Sequence, residues 1–375
     1  MFLMKTYIQR LSKGFSNIIR NFKDKFKIAV KHNGTIKSSN SPKISGKSLD
    51  NASVPQFQIG NTELPRVALS DFWKKLSLRR MIFIHKYCMI SRKELEKEDN
   101  VTWFGDKGEL TKDEHKIKNN IFCAGCRTLE DISVNEAIDN GFILPKNLDE
   151  KLKENQNLKI RPLMINCYGV GSSDTLKQLK AGIKNGLSRD IEEVHVATAI
   201  IESLVEAKQK ECKDENVIVV PYITGHSLGG MFAAAISSKL HIGSCLFNPF
   251  GLGSKLREFV GKENLDAANR DQDIDNNGDC INNHLVFSTE YDFTSSKTSP
   301  IKQLVKIPGR IISMKNEELK ADFLKKLNIG FLKSLADLFS IHPIETHTAY
   351  KQVFETQIEK LQNEELKKIM NEQSV

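Results

Sequence analysis

Ile218-Val-Val-Pro-Tyr-Ile-Thr-Gly225-His226-Ser227-Leu228-Gly229-Gly230-Met-Phe-Ala-Ala-Ala235 is the stretch that decides how this chain reads. Its first half is apolar and β-branched, which favours a strand, and its last half is small and apolar, which favours a buried helix. Between them, Gly225, His226, Ser227, Leu228 and Gly229 form the pattern Gly-x-Ser-x-Gly. A strand, a sharp turn and a helix in that order put the serine at the tip of a strand, above a helix N-terminus that favours negative charge. The glycines leave room for a tight turn, and Gly229, Gly230, Ala233 and Ala234 let the helix approach the sheet closely. Ser227 is therefore the candidate nucleophile.

Strands and helices alternate through the rest of the body, as they do when helices cover a mostly parallel sheet. Residues 163–168, 217–224, 244–248 and 284–289 read as strands. Residues 191–211, 228–240, 315–339 and 345–370 read as helices. A further helix is expected over 68–96, with Arg79, Arg80, Lys86 and Arg92 on its wet side. The fold class is α/β.

Charge divides the chain. Its 375 residues carry a net +8, yet residues 1–47 hold 11 Lys and Arg against the single acid Asp24. The globular remainder is near neutral, which argues against nucleic acid as a partner. In the tail, Met4, Ile8, Leu11, Phe15, Ile18, Phe22 and Phe26 recur at three- and four-residue steps with basic residues between them. Residues 1–31 thus read as a basic amphipathic helix suited to an anionic membrane surface. Docking on the chain's own body and a targeting role are the other readings. Residues 32–59, rich in Ser, Asn and Lys, read as a flexible linker, and residues 60–375 as the folded domain.

Seven cysteines, an odd number with no secretory signal ahead of them, suit a reducing compartment, cytoplasmic or at the membrane periphery. Delivery into another cell is compatible with the same features. Cys123-Ala-Gly-Cys126 is a lone C-x-x-C and reads as a structural turn. No run approaches the roughly 18 apolar residues of a membrane span. Asp273, Asp275 and Asn277 copy the first half of a calcium loop, but His284 stands where its bidentate glutamate would be. Calcium is the one candidate ion, and no other cofactor is implied.

The segment Thr224-Gly-His-Ser-Leu-Gly-Gly230 resembles the signature of the class 3 (fungal-type) lipases, a branch of the α/β-hydrolases. The likeness extends to Glu193-Val-His195, to Leu163-Met-Ile-Asn-Cys-Tyr168-Gly169-Val170, and to Cys245-Leu-Phe-Asn248-Pro249-Phe-Gly251. It implies an α/β-hydrolase fold and a Ser-Asp-His triad without a cofactor. By this resemblance Asp292 is the acid, with Glu290 the alternative. His347, three residues before Tyr350, is the base, with His342 the alternative. The oxyanion donors are the N–H groups of Leu228 and Val170. Tyr168 stands where the family often has arginine. Residues 173–190 match the place of the family's lid. The implied substrate is a lipid ester, an acylglycerol or a phospholipid. An acyltransferase or thioesterase with the same triad, and an inactive lipid-binding relative, are the alternatives.

Overall fold

The structure is a computed structural model that describes residues 67–105, 122–154, 157–168, 192–212, 216–269, 283–289, 305–314 and 345–372. All of them belong to the unit Gly60–Val375. The tail at 1–31, the linker at 32–59 and the segments 173–190 and 315–339 lie outside these residues.

Eight strands among the described residues form one sheet: β1 (Val67–Ala68), β2 (Thr102–Gly105), β3 (Cys123–Thr128), β4 (Lys159–Tyr168), β5 (Val217–His226), β6 (Gly243–Phe247), β7 (His284–Thr289) and β8 (Arg310–Met314). Their order is β1-β8-β7-β6-β5-β4-β3-β2. From β4 through β8 to β1 every pairing is parallel, while β3 and β2 close one edge antiparallel. The sheet is thus mostly parallel, as expected, and its five long parallel strands all end along one edge.

Side chains alternate across the sheet with the two-residue period of a strand. Val219 and Ile223 of β5 enter one core with Leu163, Ile165 and Cys167 of β4, Leu246 and Val286. Ile218, Val220 and Tyr222 enter the other, with Met164, Cys245, Phe247 and Phe287. Both faces are buried, which is why these strands read as nearly unbroken apolar runs.

Helices α6 (Glu192–Glu211), α7 (Ser227–Leu240), α8 (Ser254–Val260) and α9 (Lys262–Asn269) join β4 to β5, β5 to β6 and β6 to β7. From β4 to β7 the chain moves one place in the same direction at each step. A constant hand of crossover then puts these helices on one face, where α6, α7 and α8 line the first core. Helix α7 is buried from Ser227 to Ser238, which explains its run of Gly and Ala. The other face is covered by α1 (Leu69–Phe72), α2 (Leu78–Phe83), α4 (Val134–Asp139), α5 (Leu148–Glu154) and the long α10 (Glu345–Glu372).

The expected helix over 68–96 is broken. After α1 a 3-10 turn spans Trp73–Lys75, a π-helical turn spans Ile84–Cys88, and α3 occupies Arg92–Leu95. Two serines cause the breaks by offering helix starts: Ser77 Oγ accepts from Arg80 N (3.2 Å), and Ser91 forms a capping box with Glu94. Arg80, expected on the wet side, is 2% exposed. Gly141 gives it space, since a Cβ there would lie 2.3 Å from the Arg80 Nη2.

The C-x-x-C segment is a strand, not a turn. Cys123 pairs with Tyr168 and Cys126 with Ile165. Residues three apart on a strand face opposite sides, so these two thiols diverge. Burial pushes the Cys126 thiol up, helped by the neighbouring Cys123, which keeps it protonated.

Candidate active site

Strand β5 runs to His226 and α7 begins at Ser227, with no residue between them. His226 is still extended (φ −119°, ψ 142°), and Ser227 then takes φ 56°. A left-handed backbone is uncommon for a residue with a Cβ and costs about 1–3 kcal/mol. The strain persists because the surroundings leave no room to relax. A Cβ on Gly225 would lie 2.5 Å from the Gly229 carbonyl oxygen, and a Cβ on Gly229 would lie 2.3 Å from that of Cys167. Those approaches are the physical content of the Gly-x-Ser-x-Gly spacing. They press the turn against the end of β4, two residues before Val170.

Ser227 is buried at 6% exposure and sits where the parallel strands end, the edge at which open α/β sheets bind ligands. The Leu228 N–H belongs to the first turn of α7, whose N–H groups have no acceptor within the helix and favour a developing oxyanion.

The loop after β6 braces this turn. Phe250 N donates to Ser227 O (3.0 Å), and Asn248 N donates to Phe287 O (2.8 Å). Asn248 has φ 41°, is 1% exposed, and its Oδ1 accepts twice. One donor is the Thr289 N–H at the end of β7 (2.9 Å); the other is the Tyr350 hydroxyl on α10 (3.2 Å). Tyr350 packs edge-on against Phe247 and Phe287, with ring centroids 5.4 and 6.2 Å away. The next residue, Lys351, donates to Glu94 Oε1 (2.8 Å), whose Oε2 accepts from Ser91 N (2.7 Å). Partial burial disfavours the Glu94 carboxylate, yet the bonds from Lys351 and Ser91 prevail and bring it down to about 2. The start of α10 is thus pinned on two sides.

His347 lies in the first turn of α10, three residues before Tyr350. Asp292, Glu290, Val170 and His342 lie outside the described residues, as do Asp273, Asp275 and Asn277. Among the described residues, no group of three or more His, Cys, Asp or Glu is placed to hold a metal ion, and no helix is long and apolar enough to cross a membrane.

Tyr168, at the position where the resemblance expects arginine, donates its hydroxyl to Ile90 O (3.1 Å) and lies 6.1 Å from the Trp103 ring. Burial pushes its phenol up, so it stays neutral. His195 packs against the Phe259 ring at 4.0 Å.

The double acceptance by Asn248 is what reading the sequence missed. Its local signal is a buried asparagine at a strand end, one of the few residue types that tolerates a left-handed backbone. Its partner Tyr350 lies 102 residues away. No protein-family model matches this chain, and no curated protein matches it in sequence.

Proposed function

We propose that the chain is a serine hydrolase of the α/β-hydrolase type that cleaves a carboxylic ester of a lipid, an acylglycerol or a phospholipid. The observation that carries this reading is Ser227 itself, a non-glycine residue at φ 56° on a turn with no slack between a central parallel strand and a buried helix. Strain held at a strand tip is characteristic of a functional residue. The lipid class rests on the family resemblance and on the basic amphipathic pattern of residues 1–31.

In this mechanism Ser227 Oγ attacks the ester carbonyl while His347 takes its proton and Asp292 orients His347. The carbonyl oxygen becomes an oxyanion held by the N–H groups of Leu228 and Val170. Collapse breaks the ester C–O bond, and His347 returns the proton to the departing alcohol. Water, deprotonated by His347, then attacks the acyl-serine; the bond to Ser227 Oγ breaks, His347 returns the proton to that oxygen, and the fatty acid leaves.

Fatty-acid release from mono-, di- and triacylglycerols and phospholipids, compared between wild type and Ser227→Ala, tests this. The variant should lose at least about 10³-fold in turnover on the preferred lipid. Equal release by both proteins would overturn the serine mechanism.

A further inference from the structure

We propose that Asn248 is a positioning residue whose buried side chain ties together the acid and base limbs of the catalytic triad, in the loop whose backbone braces the serine limb. The proposal rests on the serine-hydrolase reading. Its basis is the convergence on Asn248. The serine limb is braced by the Phe250 N–H on Ser227 O (3.0 Å), two residues beyond Asn248. The acid limb leaves the sheet at Thr289, whose N–H is held by Asn248 Oδ1 (2.9 Å), three residues before Asp292. The base limb is the first turn of α10, where Tyr350, one turn after His347, donates its hydroxyl to the same oxygen (3.2 Å).

A carbonyl oxygen has two lone pairs, and these two bonds use both. The side chain is 1% exposed, so water does not compete for it. Asparagine suits the place twice over: it tolerates the backbone at φ 41°, and it carries an acceptor of the required length. Alanine, serine or threonine would fail one requirement or both. Lengthening either bond would leave the sheet intact but let the end of β7 or the start of α10 drift from Ser227. Misplacement of reacting groups on the ångström scale is costly in rate.

The test is the rate at which a fluorophosphonate labels Ser227 in the full-length protein, followed across the neutral pH range. Three variants separate the contributions. Tyr350→Phe deletes one donor and leaves the ring in its stack. Asn248→Gly keeps the positive φ without strain but deletes the acceptor. Asn248→Asp keeps both the acceptor and the tolerance of φ. Labelling should slow about tenfold in Tyr350→Phe and about a hundredfold in Asn248→Gly, while Asn248→Asp stays within about threefold of wild type. The pH at which labelling is half-maximal should move in Tyr350→Phe, which a purely structural role would not produce. Wild-type rates and pH profiles in Tyr350→Phe and Asn248→Gly would overturn the proposal, as would an Asn248→Asp variant as slow as the glycine variant. If Asn248→Gly does not fold, Tyr350→Phe decides alone. If wild type itself is unlabelled at Ser227, the hydrolase reading falls and this proposal falls with it. Labelled wild type with unaffected variants removes only the proposal.

Discussion

Two serines sit at opposite ends of the central parallel strands, one inside the ladder and one in the turn beyond it. Ser244, near the start of β6, places its Oγ 3.0 Å from Nδ1 of His284 on the neighbouring β7. Both residues are buried, Ser244 completely. Burial, with His241 nearby, holds the His284 imidazole down to about 4, so it is neutral near pH 7. Ser244 lies within a regular ladder, whereas Ser227 is held at φ 56° beyond the other end of the strands. A serine–histidine hydrogen bond inside a sheet satisfies two polar groups that would be costly to bury alone. A serine held at a left-handed backbone angle at a strand tip carries strain that the ladder serine does not. The backbone conformation, more than the presence of an imidazole, separates a candidate catalytic site from a structural bond.

Alanine at each position should break this comparison most sharply. Ser227→Ala should abolish esterase turnover, with little change in the urea midpoint. Ser244→Ala should retain turnover within about twofold and lose about 1–3 kcal/mol of stability, because the His284 ring keeps its burial and loses the bond to Ser244. Turnover on the preferred lipid ester and urea unfolding of both variants check this. Loss of turnover in Ser244→Ala at unchanged stability would reverse the assignment.

The strand, turn and helix around Ser227 were legible because everything that makes them is local. A β-branched run, two glycines four apart and an alanine run specify strand, turn and helix within 18 residues, and the close approaches at Gly225 and Gly229 follow from that spacing. The parallel core was legible for a related reason: strands buried on both faces have few polar residues to confuse the pattern. The break in 68–96 was less so, because the apolar spacing there continues across Ser77 and Ser91, and only capping hydrogen bonds end the turns. Arg80 inside the core depends on the space at Gly141, and Cys123–Cys126 as a strand depends on pairing with β4. The Asn248–Tyr350 bond joins the loop after β6 to a helix near the C-terminus. Such facts are set by packing between distant elements, and no window of sequence contains them.

Acid provides the next largest contrast. The His284 pKa is depressed from its ordinary 6.5 to about 4 in the folded state. Between those values the unfolded chain binds more protons than the folded one, so stability rises with pH across the window. It is fully present above about pH 6.5 and is lost progressively toward about pH 4, by about 3 kcal/mol. Urea midpoints measured through this range should fall in wild type and flatten in His284→Gln, which keeps hydrogen-bonding capacity without titrating there. An unchanged slope in His284→Gln would assign the acid sensitivity to other groups.

Glycine substitution yields the smallest effect and the one that most directly tests the strain at Ser227. In Ser244→Gly the chain loses the bond to His284 and gains freedom in the unfolded state, and both changes destabilise. In Ser227→Gly the entropic cost is similar, but the left-handed backbone no longer works against a Cβ, a relief of about 1–3 kcal/mol. The same replacement should therefore act unequally: a loss of about 2 kcal/mol at Ser244 and a change smaller by about 1–3 kcal/mol at Ser227. Urea unfolding of the two glycine variants at neutral pH reads the difference. Equal losses at both positions would mean that Ser227 is not strained, and the main physical support for its role as nucleophile would be gone.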